Sequence, residues 1–205
     1  MGPWGHQVHL PICPWGVTWG ITLKGQFHMY GTFPSNFCKA IAPFIKGQRL
    51  VDLGSGDMGR TDVLRLLDPA VILAVDKEPR GPAPELHPTI IPLQGYFKDV
   101  LKTIEVFAPT VAHIAWPINN PMPGLIEILE LVPTVVYVGC NTDGSSCGDI
   151  PLFKYMLTRA LTLYLPEQQN SLIVLGGKLK TPRSPTPEED AALNQYTGKI
   201  RPFKP

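Results

Sequence analysis

Six short apolar runs recur along the chain, and longer segments with helical spacing of apolar residues separate them. Runs of strand length that are apolar on both faces are typical of a parallel sheet covered by helices on each side. The predicted strands span residues 49–53, 70–75, 89–93, 110–115, 134–139 and 171–175. This alternation predicts an α/β fold with a mostly parallel sheet and helices on both faces.

Helical spacing and end signals predict six helices between and around these strands. Pro43 is expected to end the first helix, because proline removes a backbone donor and clashes with the preceding turn. The only candidate for one more strand is 198–203, which Pro202 interrupts, so a sheet of six or seven strands is expected. The predicted helices span residues 34–42, 60–67, 96–106, 124–131, 150–164 and 188–196.

Composition and charge narrow the class of protein. Hydrophobic residues make up 44% of the 205 residues, which is enough to bury a core, and 18 Lys and Arg balance 17 Asp and Glu. A net charge of +1 gives no global attraction to nucleic acid or to anionic membranes, although a local basic patch stays open. The uncharged stretch at 106–126 contains four prolines and cannot form an ordinary membrane helix. Four cysteines without a Cys-x-x-Cys pair favour a reducing, cytoplasmic location.

The most informative stretch is a glycine turn that follows the first predicted strand. Positions 50–61 read Leu-Val-Asp-Leu-Gly-Ser-Gly-Asp-Met-Gly-Arg-Thr. Gly54 and Gly56 permit a tight turn and the close approach of a ligand, and the following helix offers N–H groups at its positive end. Asp76 stands at the end of the second predicted strand, about 20 residues on, where a carboxylate accepts hydrogen bonds from ribose hydroxyls. The pattern predicts a site for NAD or S-adenosylmethionine.

Two segments resemble a known family. Asp52 lies two places before Gly54, and Asp-Leu-Gly-Ser-Gly-Asp at 52–57 resembles the first motif of Rossmann-like (class I) S-adenosylmethionine-dependent methyltransferases. Tyr-Gly-Thr-Phe-Pro at 30–34 resembles a Tyr-x-Thr-Pro-type segment that lies over the methionine end in some of these enzymes. The resemblance covers roughly residues 27–177. It implies a three-layer Rossmann-like sandwich, S-adenosylmethionine as the cofactor and methyl transfer (EC 2.1.1 type) as the activity.

The resemblance also implies which residues hold the cofactor. In the family, the acid at the position of Asp52 helps to orient the glycine loop and the methionine amino group. Two positions depart from the family pattern: Met58 stands before Gly59, and Tyr96 or Gln94 takes the place of an acid near the adenine. The residues expected to bind the cofactor are Tyr30, Thr32, Asp52, Gly54, Ser55, Gly56, Asp76, Lys77, Gly95, Tyr96 and Ala115.

The segment after the fourth predicted strand is the expected catalytic loop, because α/β sheets bind ligands at the carboxyl ends of their strands. Amino-methylating members of the family carry Asn/Asp-Pro-Pro-Tyr there, whereas this chain keeps only a proline and an aromatic residue in changed order. Methyl transfer needs a nucleophile in line with the sulfonium methyl group, so an explicit base is optional. Trp116 either offers a cation–π face or packs as a buried aromatic residue. The residues expected to shape the acceptor pocket are Trp116, Pro117, Asn119 and Asn120.

Other motifs carry less chemistry. The polar segment 140–149 is expected to form a rim of the site and to lead into a capped helix. Its Gly-x-Ser-x-Gly match at 144–148 has no histidine after it, so a hydrolase nucleophile elbow is not expected. Cys140 and Cys147 lack a nearby histidine, and no metal site is expected there. His113 lies inside an apolar strand and is read as a satisfied core histidine.

Together these features predict a methyltransferase that acts on a small molecule or a protein side chain, with nucleic acid not favoured and no membrane partner. A non-catalytic S-adenosylmethionine-binding or scaffolding protein of the same fold stays open as an alternative. An NAD(P)-dependent reductase is less favoured, because no Tyr-x-x-x-Lys proton donor occurs. The chain is expected to divide into an irregular arm (1–26), the cofactor-binding domain (27–177) and a Pro-rich extension (178–205). The oligomeric state is not readable from the sequence.

Overall fold

Thirteen elements make up the part of the chain that the computed structural model describes, which is residues 35–78, 87–118, 120–140, 147–167 and 170–198. In chain order they are α1 (Ser35–Ile45), β1 (Arg49–Leu53), α2 (Gly59–Arg65), β2 (Val71–Asp76), β3 (Ile90–Gln94), α3 (Phe97–Phe107), β4 (Val111–Ala115), α4 (Leu125–Glu130), β5 (Thr134–Cys140), α5 (Ile150–Leu157), β6 (Arg159–Pro166), β7 (Asn170–Lys178) and α6 (Pro187–Gly198).

Seven strands of the described residues form one sheet in the order β3-β2-β1-β4-β5-β7-β6. The neighbours from β3 to β5 pair in parallel, whereas β7 runs antiparallel to both β5 and β6. Strand β3 lies at one edge, which is where a proline such as Pro92 costs no hydrogen bond between central strands. The predicted mostly parallel α/β sheet is confirmed, with seven strands.

Apolar side chains cover both faces of the sheet, because the strands carry buried residues on alternate sides. On one face, α1 and α2 pack against the sheet, and this cluster includes Phe37, Ile41, Leu64, Leu50, Ile72 and Val136. On the other face, α3 to α6 do the same, and that cluster includes Ile104, Ile128, Phe153, Ala192, Val51 and Ile173. The three-layer sandwich that the sequence predicts is therefore confirmed.

The predicted helix at 150–164 is wrong in its second half. Helix α5 ends at Leu157, and Arg159–Pro166 forms strand β6 instead. Asp149 caps the helix by accepting a hydrogen bond from the Leu152 N–H at 3.0 Å, as the predicted capped helix requires. Leucines at 161, 163 and 165 alternate with polar or aromatic residues, which is strand spacing, and β6 pairs with β7 along its length. Leu163 fits both this strand spacing and the helical spacing of residues 152, 155, 156 and 159, and that overlap is why the sequence predicts one long helix.

Two smaller predictions are also wrong. Pro43 lies inside α1, which continues to Ile45. The Pro43 nitrogen has no proton to donate to the carbonyl four residues earlier, so the helix forgoes one hydrogen bond near its end, while the buried Ile45 still packs against the sheet. Gly198 is the last residue of α6 and not the start of a strand; the rest of the candidate strand 199–203 lies outside the described residues. The seventh strand is supplied by the hairpin of β6 and β7. Among the described residues, no helix combines the length and the apolar character needed to cross a membrane.

Candidate functional site

The glycine turn after β1 is built on the end of β2. The N–H groups of Gly54 and Ser55 both donate to the Val75 carbonyl, at 2.8 and 3.0 Å. Gly54 and Gly56 adopt φ values of +77° and +58°, a region that side chains other than glycine rarely tolerate. Met58 adopts the same region with φ 65°, directly before α2, although it carries a side chain. At Met58, where the sequence departs from the family pattern, the turn therefore enters α2 through a left-handed residue that is not glycine.

Asp76 holds this turn from the neighbouring strand. One carboxylate oxygen accepts a hydrogen bond from the Gly56 N–H at 2.9 Å, and the other accepts one from the Glu78 N–H at 2.9 Å. The Asp76 carbonyl also accepts from the Gly95 N–H at 3.0 Å, which ties in the segment after β3. The predicted acid at the end of the second strand therefore lies against the predicted glycine turn.

Beneath the turn, Asp52 forms a buried network. Its carboxylate lies 2.7 Å from His113 Nδ1 on β4 and accepts a hydrogen bond from the Thr61 hydroxyl of α2 at 2.5 Å. Asp52 is 2% exposed and His113 is fully buried. Burial alone would raise the pKa of Asp52, but the hydrogen bond and charge of His113, the Thr61 hydroxyl and the Arg60 charge together lower that pKa below its ordinary value. Asp52 therefore ties β1, β4 and α2 together as a carboxylate.

The surroundings of the turn offer room and hydrogen bonding for a ligand. A Cβ added at Gly54 or at Gly56 would meet no atom of the described part of the chain within 4 Å. The Ser55 hydroxyl is buried, and it has no hydrogen-bond partner among the described residues. A buried hydroxyl without a hydrogen-bond partner destabilises the fold unless a ligand or a water molecule forms a hydrogen bond with it. The turn therefore fits a ligand that brings a polar group to Ser55 and lies close to the two glycines.

Trp116 follows β4 in a strained conformation. Its φ of 47° is uncommon for a bulky residue, and such strain persists only where surrounding contacts fix it. Its N–H donates to the Val138 carbonyl at 2.7 Å, and its indole Nε1 donates to Asn170 Oδ1 at 2.8 Å. The guanidinium of Arg60 lies over the ring, 5.0 Å from its centroid, and also donates to the Gly54 carbonyl at 3.1 Å. Arg60 therefore joins the glycine turn to the predicted catalytic loop.

The structure places the described site residues at the carboxyl ends of β1 to β4. Asp52 and Ala115 are buried in the last part of β1 and β4, Lys77 is exposed after β2, and Tyr96 is 58% exposed just before α3. After Trp116, Pro117 is buried and Asn120 is exposed. Because these four strands are neighbours in the sheet, their ends meet at one edge. Three predicted site residues, Tyr30, Thr32 and Asn119, lie outside the described residues.

Sequence reasoning assigned no role to several residues of this edge. Arg60 stands in the quoted motif, and its position directly after the glycine turn is the signal that could have found it. Asn170 gave no signal, because it begins β7 of a hairpin that the sequence did not predict. Thr61 and His113 are the partners of Asp52. His113 is a buried residue with a polar partner, as expected for a core histidine.

Metal chemistry finds no support in the part of the chain that the structure describes. It contains no group of three or more His, Cys, Asp or Glu residues that could hold a metal ion. Neither Cys38 nor Cys147 forms a disulfide with another described residue. The predicted polar rim lies mostly outside the described residues, since 141–146 are not among them. The Cys147 carbonyl accepts a hydrogen bond from the Tyr137 hydroxyl at 2.7 Å, which fixes where that segment rejoins the fold.

Comparisons with known proteins give the fold. A scan against protein-family models finds no match, and a search of curated proteins finds none. Among solved structures, a candidate hemolysin from Lactococcus lactis is similar over 78% of this chain and 93% of that one, with 17% identity and a TM-score of 0.53. A candidate tRNA (m1A22) methyltransferase from Streptococcus pneumoniae is similar over 82% and 86%, with 16% identity and a TM-score of 0.50. A candidate hemolysin from Streptococcus thermophilus is similar over 85% and 77%, with 15% identity and a TM-score of 0.51. The chain has a Rossmann-like fold of the class I methyltransferase type.

Proposed function

We propose that this protein is an S-adenosylmethionine-dependent methyltransferase that acts on a small molecule or a protein side chain in the cytoplasm. The observation that carries the proposal is the hydrogen bond between the Gly56 N–H and the Asp76 carboxylate. It joins a glycine turn after β1 to an acid at the end of β2, which is the arrangement that binds the ribose of a nucleoside ligand. Among the described residues, the Ser55 hydroxyl has no hydrogen-bond partner and no atom lies where a Cβ on Gly54 would be, and both facts fit such a ligand.

The strand order favours this cofactor over a nicotinamide dinucleotide. Dinucleotide-binding sheets have the order 3-2-1-4-5-6, built from two parallel halves. Here β7 runs antiparallel between β5 and β6, and the resemblance to methyltransferases implies an antiparallel seventh strand that pairs with the sixth. An NAD(P)-dependent reductase is therefore the less favoured hypothesis for the function.

The chain's own residues would position the reactants. S-adenosylmethionine supplies an electrophilic methyl group, which an in-line acceptor takes. Holding acceptor and methyl group in line contributes most of the rate enhancement in such a reaction. Trp116 and Pro117 begin the loop beside the glycine turn, and Asn120 is an exposed amide on the same loop. These side chains would shape the acceptor pocket, and no base among them is required.

The charges near the proposed site indicate which class of methyl acceptor the protein uses. The segments that follow β1 and β2 at the proposed site carry charges of both signs. Arg60 and Lys77 are the cations, and the acids close to them in sequence are Asp57, Asp76 and Glu78. Nucleic-acid binding needs several cations that neutralise phosphates together. The Streptococcus pneumoniae protein named above as a candidate tRNA methyltransferase shares the fold. RNA is therefore the alternative acceptor class with which a small molecule or a protein side chain has to be compared. The mixed charges favour a small molecule or a protein side chain.

The first test is calorimetric titration of the full-length protein with S-adenosylmethionine, S-adenosylhomocysteine and NADH. We expect micromolar binding of the first two, at least tenfold weaker binding by Asp76→Ala, and unchanged binding by the control Asp99→Ala on α3. Asp76→Asn keeps one oxygen that can accept the hydrogen bond from the Gly56 N–H. Weaker binding by this variant would therefore come from lost contacts to the ligand and not from a loss of the turn's structure. Binding of NADH alone would support the reductase, and binding of none of the three would refute both enzymes.

A further inference from the structure

The contacts of Arg60 define a position that suits a cation. The guanidinium donates to the Gly54 carbonyl and lies over the Trp116 ring. A carbonyl oxygen and the face of an indole are both electron-rich, and each attracts positive charge. The buried Asp52 carboxylate adds to this field, since the Arg60 charge helps to lower its pKa. Three independent groups therefore favour a positive charge between the glycine turn and the loop after β4.

The ligand of the proposed function carries the same kind of charge. S-adenosylmethionine has a sulfonium and an ammonium group, whereas its product S-adenosylhomocysteine keeps the ammonium but has a neutral sulfur. A cation–π face is one of the two roles that the sequence leaves open for Trp116, and in the structure the Arg60 guanidinium lies over that ring. Two cations cannot share one ring face and one carbonyl without strong repulsion.

The parts of this position differ in how freely they move. Trp116 is fixed by its backbone hydrogen bond to Val138 and its indole hydrogen bond to Asn170. Gly54 is fixed to β2 through Val75. Arg60 reaches both through a long side chain that changes rotamer readily compared with these backbone-anchored groups. A ligand that entered here would therefore displace Arg60 and leave the ring and the carbonyl in position.

We propose that Arg60 is a specificity-determining residue that competes with a cationic ligand for the Trp116 ring and the Gly54 carbonyl. The inference rests on the proposed function, because it assigns the competing cation to S-adenosylmethionine. Arg60 weakens the binding of the cationic substrate more than that of the neutral-sulfur product. The Arg60 charge thereby raises the affinity for S-adenosylhomocysteine relative to that for S-adenosylmethionine, compared with the same site without this charge.

The test compares both ligands by calorimetry in full-length wild type, Arg60→Met and Arg60→Gln. Methionine keeps the aliphatic volume without charge, and glutamine keeps an N–H for the Gly54 carbonyl. In both variants we expect the affinity for S-adenosylmethionine to rise by about threefold or more, within the range of a cation–π contact. The affinity for S-adenosylhomocysteine should rise less. Arg65→Met is the control, because Arg65 lies on the same helix but pairs with Asp62.

Four outcomes are distinguishable when the melting temperatures confirm that the variants are folded. A gain for S-adenosylmethionine in both Arg60 variants and not in Arg65→Met supports the inference. Unchanged affinity in the Arg60 variants overturns it. Equal loss of both ligands also overturns it, since Arg60 would then bind the carboxylate that both ligands share. Failure of wild type and every variant to bind either ligand refutes the proposed function and this inference with it.

Discussion

The buried pair of Asp52 and His113 makes a sharp prediction about stability. Asp52→Asn keeps the shape of the side chain and removes its charge. The carboxylate accepts hydrogen bonds from both His113 and Thr61, and each bond to a charged group contributes about 1.5–3 kcal/mol. The oxygen of the asparagine amide can accept one of these two hydrogen bonds, but its NH₂ group would then face the second donor. Since breaking a buried pair costs about 3–5 kcal/mol, we expect a loss of about 3 kcal/mol in the free energy of unfolding at pH 7.

The same network fixes the direction of the pH dependence. The pKa of Asp52 lies below its ordinary value of 3.8 in the folded protein. Its carboxylate therefore stabilises the fold fully above that ordinary value, and this contribution is lost as the pH falls through the lower folded-state pKa. The difference between wild type and Asp52→Asn should be largest at neutral pH and should shrink at pH 3 and below. Other carboxyl groups titrate in both proteins and cancel in the difference.

Urea unfolding of both proteins at pH 7 and pH 3 measures these quantities. Asp62→Asn is the matched control, because Asp62 is 60% exposed in an ion pair with Arg65. Surface pairs of that kind contribute about 0–1 kcal/mol, so the control should lose less than about 1 kcal/mol. A loss below about 1 kcal/mol for Asp52→Asn at pH 7, or one that is equal at both pH values, would refute the role of the buried carboxylate.

Two further predictions concern the opposite end of the sheet. Arg159 is buried, and its guanidinium donates hydrogen bonds to the carbonyls of Gly176, Val132 and Pro133. Because the ammonium group of a lysine cannot reach all three carbonyls, Arg159→Lys should lower the free energy of unfolding in urea by about 2–4 kcal/mol. Burial, opposed by the Arg159 charge, raises the pKa of Tyr155 to about 12 from 10.0. Wild type should therefore lose stability as the pH rises from 10 towards 12, and Tyr155→Phe should lose less than wild type between unfolding measurements at pH 9 and pH 11.5.

Strand positions were the most predictable part of this fold. Strands buried on both faces are continuous apolar runs, so β1, β2, β4 and β5 begin and end within a residue of their predicted bounds. The glycine turn was also predictable, because Gly54, Gly56 and Asp76 stand at a spacing that a strand-turn-helix unit imposes. The partners of Asp52 were not, because they come from β4 and α2, and no local pattern pairs residues 61 positions apart.

The large misassignment of secondary structure at 150–164 and the failure to predict Asn170 at the site have a common cause. Residues 152, 155, 156, 159 and 163 have helical spacing, whereas the leucines at 161, 163 and 165 have strand spacing, and the prediction of one long helix left no room for β6. Without β6 there is no hairpin, and without the hairpin β7 cannot lie antiparallel beside β5. That direction is what brings Asn170, the first residue of β7, to the carboxyl end of β5 and within 2.8 Å of the Trp116 indole. A parallel β7 would place its last residues there instead. The reversed strand therefore positions the tryptophan of the proposed acceptor loop, and the topology of the sheet is part of the site.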